Sequence, residues 1–310
     1  MSTALLTGFL LALAASLFWS FLDITRKWLG STMTATGAVA GLALFQLPFF
    51  GLLLLIGTFL PGKGMAGLLA PLTFPQASFW WWWGAAVPLH VVSNLLFLRA
   101  VQLSPFSLTI PYLSFTPVFS ALFGLWILSE APSGWGWLGI GIVCLGAFFL
   151  NPGNRDDGIF APLKALWTER GSFYMLLVAM MWSLTPILDK KAAVASSISL
   201  YLLLMNIGIA LSFVAIRQWK TGSLRTLWKE WEANSRLLWL SGGIAMAAMV
   251  FQMASFTFLP VAYMETVKRG IGLLAAIAAG VWLFKEESSP QRFLSVVVMM
   301  AGIALLLLAG

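Results

Sequence analysis

Charge is the scarcest commodity in this chain. Of its 310 residues only 9% are Asp, Glu, Lys or Arg, while 60% are hydrophobic. Mean hydropathy is +0.91. A water-soluble domain carries about 25% charged residues. This chain has too few polar side chains to cover a water-facing surface, so it reads as an integral membrane protein. Cysteine is nearly absent. Cys144 is the single one, which excludes an intrachain disulfide and a thiolate metal cage. His90 is the single histidine, which excludes a multi-histidine metal centre, and no metal or cofactor is expected. The chain contains no P-loop, no H-E-x-x-H and no G-x-S-x-G. Without a Walker motif, ATP is not its direct energy source. The N-terminal "LALAAS" superficially offers a signal-peptidase site, but no basic residue precedes the apolar run. A retained helix is expected there.

What is present is a series of long apolar segments, near residues 4–27, 34–60, 79–101, 106–128, 135–151, 172–191, 198–217, 236–258, 262–284 and 291–309. A hydrocarbon core of about 30 Å needs about 20 such residues per helix. Backbone polar groups in lipid must be satisfied internally, and the alternation of a β-barrel is missing. The expectation is ten transmembrane helices. Two connections are longer. Residues 152–171 form a polar linker. Residues 218–235 place Leu224, Leu227, Trp228 and Trp231 at helical spacing among charges, which predicts an amphipathic helix on the membrane surface. The net charge of +7 is spread over short loops, so membrane topology explains it better than a nucleic-acid partner. With the N-terminus on side A, thirteen Lys and Arg collect on side B and three on side A. By the positive-inside rule both termini then face out.

The apolar pattern is written twice. "GLWILSEAPSGWGWLGIGIVCLG" (124–146) and "GVWLFKEESSPQRFLSVVVMMAG" (280–302) share G-x-W-x3-E-x2-S-x4-L-x7-G at an offset of 156. "LFWSFLDITRKW" (17–28) parallels "MMWSLTPILDKK" (180–191). In each, Trp-Ser is followed by a lysine eight residues after the Trp. A five-helix unit repeated in tandem must insert the second time upside down. Inverted repeats of this kind are a recurrent signature of secondary transporters. The domain reading is a first repeat at 1–151, a linker at 152–171 and a second repeat at 172–310. A repeat that serves only folding is the blander alternative.

On these motifs the chain resembles the drug/metabolite transporter (DMT) superfamily, and more narrowly its EamA-type ten-helix transporters. The resemblance extends over essentially the whole chain. It implies helices 1–4 and 6–9 around a central cavity, with 5 and 10 peripheral, and export or exchange of small organic metabolites without ATP. It also implies cytoplasmic termini, against the charge count, so orientation is open on sequence. The repeats differ at one place. Helix 9 carries "ETVKR" where helix 4 carries "TIPYL" (109–113), so Lys268 stands opposite Tyr112 in the alignment and Arg269 opposite Leu113.

That difference supplies the candidate site. Lys268 lies about 10 Å into helix 9 at 1.5 Å per residue. A charge at such depth costs at least about 2.5–3.5 kcal/mol on insertion scales, so it should face protein or water. Glu265 lies three residues from Lys268 and four from Arg269, on one helical face that continues through Gly272, Ala276 and Ala279. Internal neutralisation is the structural alternative. Two cations against one anion, however, favour a substrate carboxylate or phosphate, which Arg would grip bidentately and Lys as a point charge. Trp19 and Trp182, midway through helices 1 and 6, either stack on a solute, grip a cation or merely pack. Trp80 to Trp83 read as a membrane-interface belt. His90 and Asn94, four apart on helix 3, either bond a facing helix or contact substrate. Gln46, Asn206 and Gln252 invite the same two readings. Asp23 with Arg26 and Lys27, and Asp189 with Lys190, look like helix-end pairs reaching for the interface. Glu130 and Glu286 should anchor short turns. "GWGWLG" (134–139) matches a dinucleotide fingerprint, but no strand precedes it, and helix packing explains its glycines.

The expected function is therefore secondary-active transport of small metabolites by alternating access. Amino acids or other carboxylate-bearing solutes are the first choice of substrate, with phosphorylated metabolites or nucleotide-sugar-like anions second. Proton coupling is open, with Glu265, Asp23, His90 and Asp189 as unranked carriers. The expected setting is multi-pass, in the plasma (inner) membrane, as a monomer or homodimer. The competing classes are a channel, a scaffold and an intramembrane enzyme. The enzyme reading lacks any cluster of acids, bases or metal ligands.

Overall fold

The computed structural model describes residues 3–59, 74–103, 110–150, 170–221, 223–283 and 290–308. These residues form helices, in the order α1 (Thr3–Thr32), α2 (Ala35–Phe59), α3 (Ala77–Leu103), α4 (Thr116–Phe123), α5 (Gly134–Leu150), α6 (Arg170–Val194), α7 (Ile198–Thr221), α8 (Arg225–Ala233), α9 (Ser235–Ser255), α10 (Val261–Leu283) and α11 (Pro290–Leu308). A 3-10 segment, Ile110–Phe115, leads into α4, and a π-helical turn, Gly124–Leu128, leaves it. No strand occurs among the described residues. Each of the ten expected apolar segments is helical over most of its described residues, with Thr34 and residues 256–258 falling just beyond helix ends, and the eleventh helix, α8, is the amphipathic one. Among the described residues, five helices are long and apolar enough by length and composition to cross a membrane: α1, α2, α6, α7 and α9. The linker lies outside the described residues up to 169, and Glu286 lies outside them too.

Lipid contact is legible in α1. Leu6, Leu10, Leu13, Leu17 and Phe21 are exposed at three- and four-residue spacing, one apolar stripe along the helix. Trp80 and Trp81 are likewise exposed, in keeping with a belt.

The chain folds into two compact units, each drawing helices from both halves of the sequence. The first comprises 1–16, 92–187 and 258–310; the second comprises 17–91 and 188–257. The first unit is built on α5 against α11 and on α4 against α10. The α5–α11 contact depends on glycine. A Cβ at Gly302 would lie 2.9 Å from the Gly139 carbonyl oxygen, and one at Gly146 would lie 3.1 Å from the Ser295 carbonyl oxygen. Gly146 and Gly302 occupy the same motif position in the two repeats, as Gly139 and Ser295 do. The same close approach is thus made twice, backbone against backbone, in the way small residues allow in membrane helices. The glycines of "GWGWLG" divide accordingly: Gly136 faces Tyr263 and Gly139 faces Gly302, while Gly134 faces open space.

The second unit is built on α2, which packs against α7 and α9. Gly242 brings α9 onto the α2 backbone, where an added Cβ would lie 2.9 Å from the Phe45 carbonyl oxygen. The amphipathic α8 is docked by one edge. Leu227 and Trp231 are buried while Leu224 and Trp228 stay exposed. The Trp231 indole donates to the Gly37 carbonyl at 2.9 Å. Glu230 accepts from the Thr34 amide at 3.1 Å and its hydroxyl at 2.8 Å, and meets Arg217 at 3.6 Å. The expected surface helix is therefore also a strut against the start of α2.

One substitution made at two sites tests the α5–α11 contact. Gly302→Ala forces a methyl onto backbone and should cost about 1–3 kcal/mol. Gly141→Ala enters open space and should gain up to about 1 kcal/mol of helix propensity. Thermal unfolding of the detergent-purified protein should fall for the first and hold or rise for the second.

Candidate functional site

In the first unit the charged segment of α10 begins directly after Pro260. Its first amide, that of Val261, donates to the Glu130 carboxylate at 3.0 Å. An acidic group at a helix N-terminus satisfies an orphan N–H and complements the helix dipole. The turn that delivers Glu130 is sharp. Ser129 closes the π-helical turn in the left-handed region with φ 58°, where non-glycine residues are uncommon. Four residues past Ser129, Ser133 receives the other end of the clamp, with the Tyr263 hydroxyl 3.3 Å from its amide and 3.5 Å from its Oγ. The repeated glutamate motif thus has a mechanical meaning at Glu130, which fixes where α10 starts.

From that fixed start, α10 carries Glu265, Lys268 and Arg269 inward. The Glu265 side chain is 1% exposed and pairs with Lys268, whose side chain is 20% exposed. Arg269 Nη2 donates to Thr116 Oγ1 on α4 at 3.3 Å. The geometry therefore combines the two sequence readings: one cation is held by the segment's own carboxylate and the other reaches the partner helix. The segment's formal charge is +1 whatever else each group touches. Gly272, one turn on, faces open space. The side chains of Ala276 and Ala279 lie outside the described residues.

Tyr112 is 1% exposed and sits in a cluster with Ala100, Leu113, Met175, Val178 and Ala179, against which Phe97 and Trp182 pack. Two expected site residues, Tyr112 and Trp182, are thereby brought together. Trp182 stacks on Phe97 with ring centroids 5.2 Å apart and donates its indole N–H to Ser93 Oγ at 3.1 Å. Asn94 follows Ser93 on α3 and is partly exposed. These residues belong to the first unit.

Trp19 and His90 belong to the second. Trp19 donates its indole N–H to Gln252 Oε1 on α9 at 2.8 Å, and the Arg26 guanidinium lies 5.3 Å from its ring centroid. Trp19 thus grips a cation of the protein itself. The two motif tryptophans make matching bonds. Each ties the first helix of one repeat to the third helix of the other, α1 to α9 and α6 to α3. Gln46 and Asn206 use their amide nitrogens on their own helices, at the Leu42 and Leu202 carbonyls.

One expectation is corrected. Asp189 does not reach for the interface beside Lys190. It is 4% exposed, and Oδ1 lies 3.2 Å from His90 Nε2 and accepts from the Tyr201 hydroxyl at 2.5 Å. Lys190 instead points at the Phe256 ring and Lys191 at the Trp82 ring, at 6.0 and 5.8 Å. A carboxylate with two donors within reach is cheaper to bury than to snorkel on so short a side chain. Tyr201 is the residue that sequence reasoning missed; one tyrosine in an apolar helix gives no signal of the acid it will meet. Asp23 remains a surface pair with Arg26 at 3.2 Å.

Residues 6–151 match the model of the EamA-like transporter family. That match takes in 146 of the 310 residues, all in the N-terminal half, and makes this stretch EamA-like. The family's members are membrane transporters of small solutes built from helices, and that coarse activity is this protein's. No curated protein matches the chain. A solved crystal structure of a protein matches it over 100% of this chain and 98% of that one, with TM-score 0.67 and 17% identity; at that identity the likeness concerns the fold alone.

The Glu130 clamp is testable without knowing a substrate. Glu130→Ala should cost about 0.5–2 kcal/mol, the usual loss for a helix-capping group. Glu130→Gln, which keeps an acceptor oxygen, should recover part of it. Thermal unfolding reads both.

Proposed function

We propose that the protein is a secondary-active exporter or exchanger of amino acids or related carboxylate-bearing solutes, working by alternating access in the plasma (inner) membrane. The observation that carries this reading is the charged face of α10. Read as one of the ten expected spans, α10 carries Glu265, Lys268 and Arg269 at a cost of at least about 2.5–3.5 kcal/mol per charge on insertion scales. Such groups mark solute or ion pathways more often than scaffolding. A planar carboxylate matches the guanidinium of Arg269 in bidentate form, with Lys268 adding charge without direction. Thr116 would then give up or share its bond to Arg269 when a solute arrives. Tyr112, Trp182 and Asn94, in the same unit, would bound the organic part of the solute. Trp19 and His90 are proposed to act within the second unit.

Alternating access is supported by contacts made twice. The α5–α11 approach at Gly139–Gly302 recurs at Ser295–Gly146, and the tryptophan bonds recur at Trp19–Gln252 and Trp182–Ser93. A structure written twice in this manner has two equivalent ways to open, which a one-way pore does not need. The protein would act as a monomer or homodimer, without a cofactor.

Radiolabelled amino acids in proteoliposomes test the reading. Lys268→Ala and Arg269→Ala should each lower uptake about tenfold or more, the equivalent of about 1.4 kcal/mol of binding. Arg269→Lys should recover only part, because the bidentate fork is lost. Uptake of every carboxylate solute at parental rates in both alanine variants would overturn the assignment. Competition by sugar phosphates but not by amino acids would move it to the phosphorylated class.

A further inference from the structure

Four acidic or basic side chains are candidates for a coupling group, and their surroundings separate them. Asp23 is paired with Arg26 on the surface, its side chain 68% exposed. Glu265 is buried but matched by Lys268 on its own helix. Asp189 and His90 form a different kind of group. Asp189 on α6 is buried and lies 3.2 Å from the imidazole of His90 on α3. The same Oδ1 accepts from the hydroxyl of Tyr201 on α7. Three titratable side chains from three helices converge on one carboxylate oxygen within a membrane-embedded fold.

We infer that His90, Asp189 and Tyr201 form a proton-binding site through which transport is coupled to the proton gradient. The inference rests on the transporter reading above and adds the coupling ion. With Asp189 ionised, His90 neutral and Tyr201 protonated, the cluster carries a charge of −1. One proton from water, added to the unprotonated nitrogen of the imidazole, makes an imidazolium–carboxylate pair and brings the charge to zero. Moving the Nε2 proton to Oδ1 gives a neutral imidazole and a carboxylic acid, with the same total. Histidine is the side chain whose ordinary range spans this change near neutral pH. The neutral state is the cheaper one to shut away from water, since an uncompensated buried charge is strongly penalised. Proton occupancy therefore biases which conformation the helices adopt.

The surroundings supply both the brake and the lever. Lys190 and Lys191, next along α6, point at the Phe256 and Trp82 rings. Tyr201 gives the ionised oxygen a donor that does not depend on the proton. Each helix carrying the pair contains a proline just upstream, Pro88 in α3 and Pro186 in α6. A proline removes one backbone hydrogen bond from the ladder, which makes these the places where a changed side-chain bond can move a helix.

The single histidine makes the site directly observable. The full chain, labelled with 13C and 15N in histidine and placed in nanodiscs, yields one imidazole to follow by NMR between pH 5 and 8. Its protonation step should differ between the parent and Asp189→Asn, a near-isosteric change, and again in Tyr201→Phe. An unchanged step in both variants would overturn the inference. In proteoliposomes with radiolabelled amino acids as the probe, a gradient of one pH unit can sustain up to about tenfold accumulation per coupled proton. The ratio of gradient-driven uptake to exchange at equal pH should exceed one in the parent and fall to one in Asp189→Asn. A ratio retained in the variant would also overturn it. Parent protein that exchanges no amino acid at all would count against the proposed solutes, and the NMR arm would still decide the proton site.

Discussion

A low-dielectric surrounding is the constraint from which the rest of this molecule follows. In hydrocarbon, a backbone amide without a partner costs several kcal/mol, so the chain has little choice but helices. The same penalty governs the few charges. Glu265 faces Lys268, Asp189 faces His90 and Tyr201, and Glu230 faces Thr34 and Arg217. A soluble protein tolerates loosely placed surface charge. Here a misplaced one is expensive.

Without a hydrophobic force between helices in lipid, association depends on close packing and on interhelical hydrogen bonds. The protein uses both, and uses each twice. Glycines let α5 and α11 meet backbone to backbone at Gly139–Gly302 and Gly146–Ser295. Indole N–H groups tie α1 to α9 and α6 to α3. The glutamate that closes the repeated motif has a capping role at Glu130, where it fixes the start of α10. The copies differ most plainly at the fourth span. The fourth span of the first copy is broken into 3-10, α and π segments around Pro111 and Pro117, while its counterpart α10 is a regular helix carrying three charges.

The helices were legible because twenty-residue apolar runs leave no competing structure, and the family was legible because its motifs occur twice in the same order, at offsets of 156 and 163. The Glu265–Lys268 pair was legible from three-residue spacing alone. Glu130 could be read as a turn anchor, but not as the cap of α10, because its partner amide is 131 residues away. Trp19 and Trp182 could be read as symmetric, but not as donors, since Gln252 and Ser93 lie on helices of the opposite repeat. Asp189 was misread. Its neighbour in sequence is Lys190, but its neighbours in space are His90, 99 residues away, and Tyr201.

The sequence by itself determined an all-helical membrane protein, its repeated architecture, and the burial of charge in one late helix. Those properties follow from composition and from contacts one helical turn apart, which the order of residues specifies directly. Only the tertiary structure decided which acids are buried and what each one meets. Burial and pairing are set by side chains brought together across helices, and the order of residues along any single helix is silent about which face another helix will cover.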